Sequence, residues 1–226
     1  MGMSAIVERA LERTEMERLA AAGAPVHLIG CDLEEASLDK LDLAGWTFER
    51  CALRRADFAG CRLEGTTWQS CRGAFAGFTG ANLDEARFTA CDLNNAVLRH
   101  ANLHAASFRG CKLTGADLTD ARPVDLSFEE TLLIDAKLPG FSFRKQTLRK
   151  VDFSDADLRK CDFRMAAFAE CSLRGADLRG ARFEGADLRG ADLGGLKLAD
   201  AVLFRGAIVS RGQAAELLGE LGISVR

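Results

Sequence analysis

Cysteine and histidine are the residues of this chain that are best suited to chemistry. Both types bind zinc, and paired cysteines form disulfides. The eight cysteines are separated by multiples of ten residues: Cys31, Cys51, Cys61, Cys71, Cys91, Cys111, Cys161 and Cys171. Five of them follow one another at steps of 20 residues, from Cys31 to Cys111. His100 and His104 have the spacing of two metal ligands on a helix. Whether any of these residues meet therefore depends on the secondary structure that carries them.

No catalytic motif accompanies these residues. The chain has no Walker loop, no Gly-x-Ser-x-Gly turn and no dinucleotide-binding glycine fingerprint. An enzyme also needs groups that converge in a concavity. The sequence therefore predicts a protein that is not an enzyme, with no catalytic residues, no cofactor and no metal.

A five-residue repeat organises the chain. A large apolar residue recurs every five positions from Leu28 to Ile208, giving 37 phrases, of which only those centred on Gly73 and Pro123 lack it. The residue two positions earlier is mostly Ala or Cys, and Asp or Asn is the commonest residue between the two. This period fits neither a helix nor an alternating strand. It fits a solenoid in which four phrases make one square turn, with turns stacked at the inter-strand spacing.

This arrangement assigns the cysteines and histidines. The cysteines occupy the small inward slot, so we expect free thiols packed in the core, with a reactive thiol or a metal ligand as the less favoured alternatives. His100 and His104 fall on adjacent faces, which disfavours a metal site. Aromatic residues also recur at steps of 20 residues, with Leu148 as the one interruption. They predict an aromatic stack along one side of the coils: Phe48, Trp68, Phe88, Phe108, Phe128 and Phe168. Phe75 is expected to turn inward and fill the volume that Gly73 leaves.

The repeated A(D/N)LXX phrase resembles that of the pentapeptide-repeat proteins over residues 26–210. The resemblance implies an all-β solenoid, a right-handed quadrilateral β-helix of about nine coils with helical caps at both ends. Residues 1–25 are predicted to form an N-terminal capping helix that runs over 4–22 with Ser4 as N-cap, and Ile6, Val7, Ala10, Leu11 and Leu19 could lie on the first coil. Residues 211–226 are predicted to form a C-terminal cap and dimerisation segment.

The C-terminal segment carries several helix signals. Ser210 and Gln213 have the spacing of a capping box, Gly222 is placed to end the helix, and residues 223–225 are expected to form a short strand. Such a short helix must bury its apolar face to be stable. This tail resembles the ending of the Qnr quinolone-resistance proteins and of MfpA. The resemblance implies a homodimer through Leu217, Leu218, Leu221, Ile223 and Val225, and DNA gyrase or topoisomerase IV as partner.

Composition limits the other partners. Thirty basic and 33 acidic residues give a net charge of −3, which favours neither direct nucleic-acid binding nor an anionic membrane. Charged residues interrupt the N-terminus early, and no apolar run approaches the length of a membrane span, so a soluble cytoplasmic protein is expected.

The predicted outer surface gives little support to mimicry of duplex DNA. Its most acidic face has a net charge of −3 and the others lie between zero and +1. A local contact remains open, and the irregular stretch 121–150 adds an outward apolar pair. The candidate partner surface comprises Asp32, Glu34, Glu35, Asp117, Asp120, Leu132 and Ile134. The leading interpretation is a non-catalytic protein that modulates a type II topoisomerase or protects it from quinolone-type poisons. A structural scaffold for an unrelated protein is the alternative.

Overall fold

The computed structural model describes residues 4–194, 198–219 and 222–225 and divides into two compact units, residues 1–132 and 133–226. Both units are parallel β-solenoids, so the predicted fold class is confirmed. In the first unit, six short strands recur once in each coil and pair in sequence order. They are β2 (Val26–Ile29), β3 (Thr47–Glu49), β4 (Thr67–Gln69), β5 (Arg87–Thr89), β6 (Ser107–Arg109) and β7 (Ser127–Glu129).

The second unit continues this pattern in three strands. These are β8 (Thr147–Arg149), β9 (Ala167–Ser172) and β10 (Asp187–Asp192). Strand β8 pairs with β9, and β9 pairs with β10, all in parallel. Single parallel bridges at the other sides of the coils, such as Asp157 with Asp177, join equivalent positions of successive coils.

A corner every fifth residue produces the four-sided coil. Every fifth residue from 30 to 185 has a positive φ, and in most phrases a turn closes across this corner, as in the Ala36 N–H bond to the Leu33 carbonyl at 3.2 Å. Eleven of these 32 corner residues are glycines, so side chains are tolerated at most corners despite the steric preference for glycine. The Asp or Asn residue before each apolar centre assists the turn. The Asp32 carboxylate, for example, accepts a hydrogen bond from the Glu34 N–H at 2.9 Å.

The apolar centres and the small residues fill the core, as predicted. In the first unit the aromatic stack is continuous, with ring centroids 3.9 Å apart between Phe48 and Trp68 and 4.7 Å apart between Phe88 and Phe108. In the second unit a stack on a different side joins Phe163 to Phe143 at 5.0 Å and to Phe183 at 4.9 Å.

The N-terminal cap differs from the prediction. The Ser4–Val7 segment is a strand, β1, which pairs in parallel with β2, and the helix α1 is confined to Arg13–Ala21. The reason is that the first coil presents an unpaired strand edge, which another strand satisfies better than a helix does. Leu11 is buried as expected, whereas Val7 is 52% exposed.

The regular coils also end before the predicted boundary at residue 210. At Gly190 the β9–β10 register shifts, and a Cβ there would lie 2.4 Å from the Phe168 carbonyl oxygen. A 3₁₀-helix follows at Leu198–Phe204, and the Leu188 N–H then bonds to Ile208 instead of residue 207. Glycine permits the close backbone approach, and the chain leaves the five-residue spacing. The C-terminal helix α2 (Arg211–Gly219) comes next, but residues 223–225 do not form the predicted strand.

Candidate interaction surfaces

The C-terminal helix is attached to the last coil through its capping residue. The Gln213 Oε1 accepts the Ser210 N–H at 2.7 Å, and the Ser210 hydroxyl accepts the Gln213 N–H at 3.2 Å, so the predicted capping box is present. The Gln213 amide also donates to the carbonyls of Leu188 and Ala191, at 2.8 and 2.7 Å. At the other end, the Ile223 N–H bonds to the Leu218 carbonyl at 3.2 Å.

The described dimer candidates lie on a face that this unit does not cover. Leu218 is 37% exposed, Ile223 49% and Val225 55%, while Leu217 is half-buried. Leu221 lies outside the described residues. None of the residues of α2 is fully buried. The helix and the residues after it therefore present Leu218, Ile223 and Val225 to solvent, as a face that packs on another surface would.

The acidic candidates all lie in the first unit. Asp32, Glu34 and Glu35 are exposed on one coil, and Glu35 meets Arg55 at 3.4 Å. Asp120 is exposed, whereas Asp117 is half-buried and accepts the Thr119 N–H at 3.0 Å.

The two apolar candidates belong to different units. Leu132 ends the first unit and is 36% exposed. Ile134 belongs to the second unit and is half-buried. The outward orientation predicted for this pair is therefore clearer for Leu132 than for Ile134.

The two units differ in net charge, although the counts for each face of the solenoid do not show this difference. Residues 1–132 contain 20 acidic and 14 basic residues, whereas residues 133–226 contain 13 acidic and 16 basic residues. The acidic surface is therefore concentrated in the first unit.

Asp-x-Arg pairs neutralise four of the 13 acidic residues in the second unit. In four of these pairs the arginine holds both carboxylate oxygens of the aspartate two residues before it. They are Asp157 with Arg159, Asp162 with Arg164, Asp177 with Arg179 and Asp187 with Arg189. The guanidinium lowers the pKa of Asp162 and that of Asp187 to about 2. Carboxylates paired in this way present little free negative charge to a partner.

The thiols are placed as the sequence predicts. All eight cysteines are free and buried, and the Sγ atoms donate to main-chain carbonyls, as in Cys61 to Leu38 at 2.9 Å. Burial raises the pKa of both the Cys61 and the Cys161 thiols to about 12. Among the described residues, no group of three or more His, Cys, Asp or Glu side chains is arranged to hold a metal ion. His104 instead pairs with Asp84 at 2.6 Å, and this hydrogen bond raises the pKa of the histidine.

Phe75 is the surface residue that the sequence prediction misplaced. Its side chain is 48% exposed rather than turned inward. The volume beside Gly73 is occupied instead by Leu93, whose Cδ2 would lie 2.9 Å from a Cβ at that glycine. The outward orientation of Phe75 is predictable from the five-residue register, because residue 75 occupies a corner and corner side chains point outward.

No helix among the described residues is long and apolar enough to cross a membrane. In the N-terminal region, a cavity of about 170 Å³ is lined by Pro25, Asp42, Trp46 and Arg62 among others.

Comparison with solved structures gives matches over the whole chain. QnrB1, a plasmid-mediated fluoroquinolone resistance protein, is 22% identical over 98% of both chains, with a TM-score of 0.68. A trypsin-treated form of QnrB1 is 23% identical over 99% of this chain and 98% of its own, with a TM-score of 0.54. HetL from the cyanobacterium Nostoc, which is involved in heterocyst differentiation regulation, is 28% identical over 83% of this chain and 86% of its own, with a TM-score of only 0.38.

At these identities the likeness to QnrB1 shows a shared fold. No curated protein matches the sequence. The family model for pentapeptide repeats matches residues 51–89, 81–120, 127–164 and 166–203. These matches cover more than half of the sequence, and the chain belongs to the pentapeptide-repeat family.

Proposed function

We propose that this protein is a non-catalytic binding protein that engages a type II DNA topoisomerase and modulates it or protects it from quinolone-type poisons. The observation that carries the proposal is the match to the fluoroquinolone resistance protein QnrB1 across 98% of both chains. The capped C-terminal helix with its exposed leucine adds support, because the sequence of this tail resembles that of the Qnr and MfpA group.

The distribution of charge favours a contact through the first unit. Asp32, Glu34 and Glu35 present carboxylates to solvent on one coil of a unit that has six more acidic than basic residues. In the second unit, four carboxylates are paired with arginines and are therefore less available to a partner. The mechanism that fits is a local contact through the first unit, not mimicry of DNA along the whole chain.

The test is DNA supercoiling and quinolone-induced cleavage by purified gyrase, with the protein titrated from substoichiometric amounts to excess. Protection from the drug supports a protector, and inhibition at similar doses supports a competitor of DNA. Replacing Asp32, Glu34 and Glu35 together by lysine is expected to abolish either effect. The matched control replaces three exposed acids of the second unit by lysine: Asp135, Asp155 and Glu170.

An unchanged gyrase response across the full titration would reject the proposal and favour a scaffold with an unrelated partner. The two triple variants change the net charge equally. Equal loss of the effect in both would therefore show that net charge, and not a contact through Asp32, Glu34 and Glu35, causes the loss.

A further inference from the structure

Phe75 is an exposed aromatic residue at a corner of the coil. Its φ is 63°, in the left-handed region that bulky side chains rarely adopt, and its ring is 48% exposed. On the neighbouring coils of the first unit, the same corner is occupied by Arg55 and Asn95, both of them polar. Packing in the core therefore does not explain a phenylalanine here.

One arginine contacts the ring, and two more lie nearby on the same two coils. The Arg55 guanidinium lies 5.9 Å from the ring centroid, within the range of a cation–π contact. Two further arginines are exposed. Arg54 lies on the coil of Arg55, and Arg72 lies on the coil of Phe75. Within the described part of the chain, the side chains of Arg54 and Arg72 form no hydrogen bond or ion pair. This patch (Arg54, Arg55, Arg72 and Phe75) therefore combines an exposed aromatic ring with two unpaired positive charges.

We infer that this patch is a docking site for a short acidic segment of a partner protein, in which an apolar side chain packs on Phe75 and adjacent carboxylates bind Arg54 and Arg72. Charge complementarity selects the occupant, because two unpaired guanidinium groups attract carboxylates and hold them in bidentate geometry. Aromatic residues and arginine are also the types that contribute most to protein interfaces. The inference goes beyond the proposed function and does not depend on a topoisomerase as partner.

The surroundings of the patch restrict the length of the segment. Glu34 and Glu35 lie on the preceding coil and Asp92 on the following one. Coils are separated by about 4.8 Å, the spacing of paired strands, so acidic side chains border the patch at short range. A long polyanion crossing several coils would meet these carboxylates and be repelled. The site therefore fits one or two carboxylates beside an apolar residue and disfavours an extended nucleic-acid strand.

The inference is tested by selecting a random-peptide phage library on the immobilised full-length protein. The expected peptides carry Asp or Glu next to an aromatic or aliphatic residue. Phe75→Asn and Arg72→Glu are each expected to weaken their binding about tenfold or more, as the loss of a central interface side chain does. The matched controls, Val124→Asn and Arg87→Glu, alter an exposed apolar and an exposed basic residue elsewhere in the same unit and should leave binding unchanged.

Folding is controlled by thermal unfolding of the same variants. Asn95 already occupies this corner on the next coil with a φ of 57°, so Phe75→Asn should unfold at the same temperature or a higher one. A lower unfolding temperature would give Phe75 a structural role and overturn the inference. Failure to enrich any peptide, enrichment of peptides without carboxylates, or equal binding to Phe75→Asn would also overturn it. Binding of a poly-dT oligonucleotide that Phe75→Asn abolishes would assign the patch to single-stranded nucleic acid instead.

Discussion

The side-chain amide of Gln213 donates a hydrogen bond to the main-chain carbonyl of Leu188, with 2.8 Å between the nitrogen and the oxygen. The same side chain caps the first turn of the C-terminal helix through Ser210. One residue therefore both starts the helix and anchors it to the last coil, where the carbonyl groups of the final strand would otherwise lack a partner.

Replacing Gln213 by alanine removes these contacts together. We expect the free energy of unfolding to fall by about 1 to 2 kcal/mol, because a helix cap is lost and two carbonyls lose their donor. Chemical denaturation monitored by circular dichroism measures this change. Glu216→Ala, an exposed position on the same helix, serves as the control. An equal effect in both variants would show that Gln213 does not anchor the helix.

The exposed apolar face of the C-terminal helix is predicted to form a homodimer. Leu217→Asp and Leu218→Asp should each give a monomer by light scattering, because a buried unpaired carboxylate destabilises an apolar interface. Val7→Asp, at an exposed apolar position of the N-terminal strand, should leave the mass unchanged. A wild-type protein that is already monomeric, or a dimer that persists in both leucine variants, would place the interface elsewhere.

All eight cysteines should behave as core residues. In the native protein we expect no rapid reaction with a thiol reagent at pH 8, because all eight side chains are buried and a reagent in solution cannot reach their Sγ atoms. Eight thiols should react after denaturation under non-reducing conditions. Fewer than eight, or zinc released on unfolding, would contradict the packing interpretation.

The Asp162–Arg164 pair predicts a specific acid dependence. Because the pKa of Asp162 is lowered to about 2, its contribution to stability is fully present above the ordinary value of 3.8 and is lost as the pH falls through about 2. Arg164→Gln should raise this pKa towards 3.8, as measured by carboxyl-carbon nuclear magnetic resonance. Arg182→Gln removes a neighbouring charge that contributes less to the shift, so it should have a smaller effect. Equal shifts in the two variants would argue against the side-chain hydrogen bond as the main cause.

The aromatic stack of the first unit should contribute strongly to stability. Phe88 is buried between Trp68 and Phe108, with ring centroids 5.4 and 4.7 Å away. Phe88→Ala is expected to destabilise the protein by about 3 to 5 kcal/mol, because it leaves a cavity in a packed core. Phe88→Leu should cost less in a urea titration, since Leu148 shows that leucine is accommodated at the same position of a coil. A loss below about 1 kcal/mol for alanine would mean that the coil collapses around the missing ring.

The register of the repeat predicts which side chains lie inside. A strict five-residue spacing leaves one choice of inward positions, so the buried cysteines and the stack from Phe48 to Phe128 follow directly from the sequence. The aspartate before each apolar centre is likewise predictable as a turn residue, since its carboxylate reaches the backbone N–H two residues on. These are local properties, repeated in every phrase.

Features that depend on neighbouring coils or on the ends could not be read from the repeat. Ser4–Val7 is a strand because the first coil leaves an edge to pair. The strand register shifts at Gly190, where the backbones of two coils approach closely. The space beside Gly73 is filled by Leu93 of the next coil, a contact that the repeat of a single coil does not specify. The repeat specifies each coil alone, whereas contacts between coils and at the open ends determine which surface remains available for a partner.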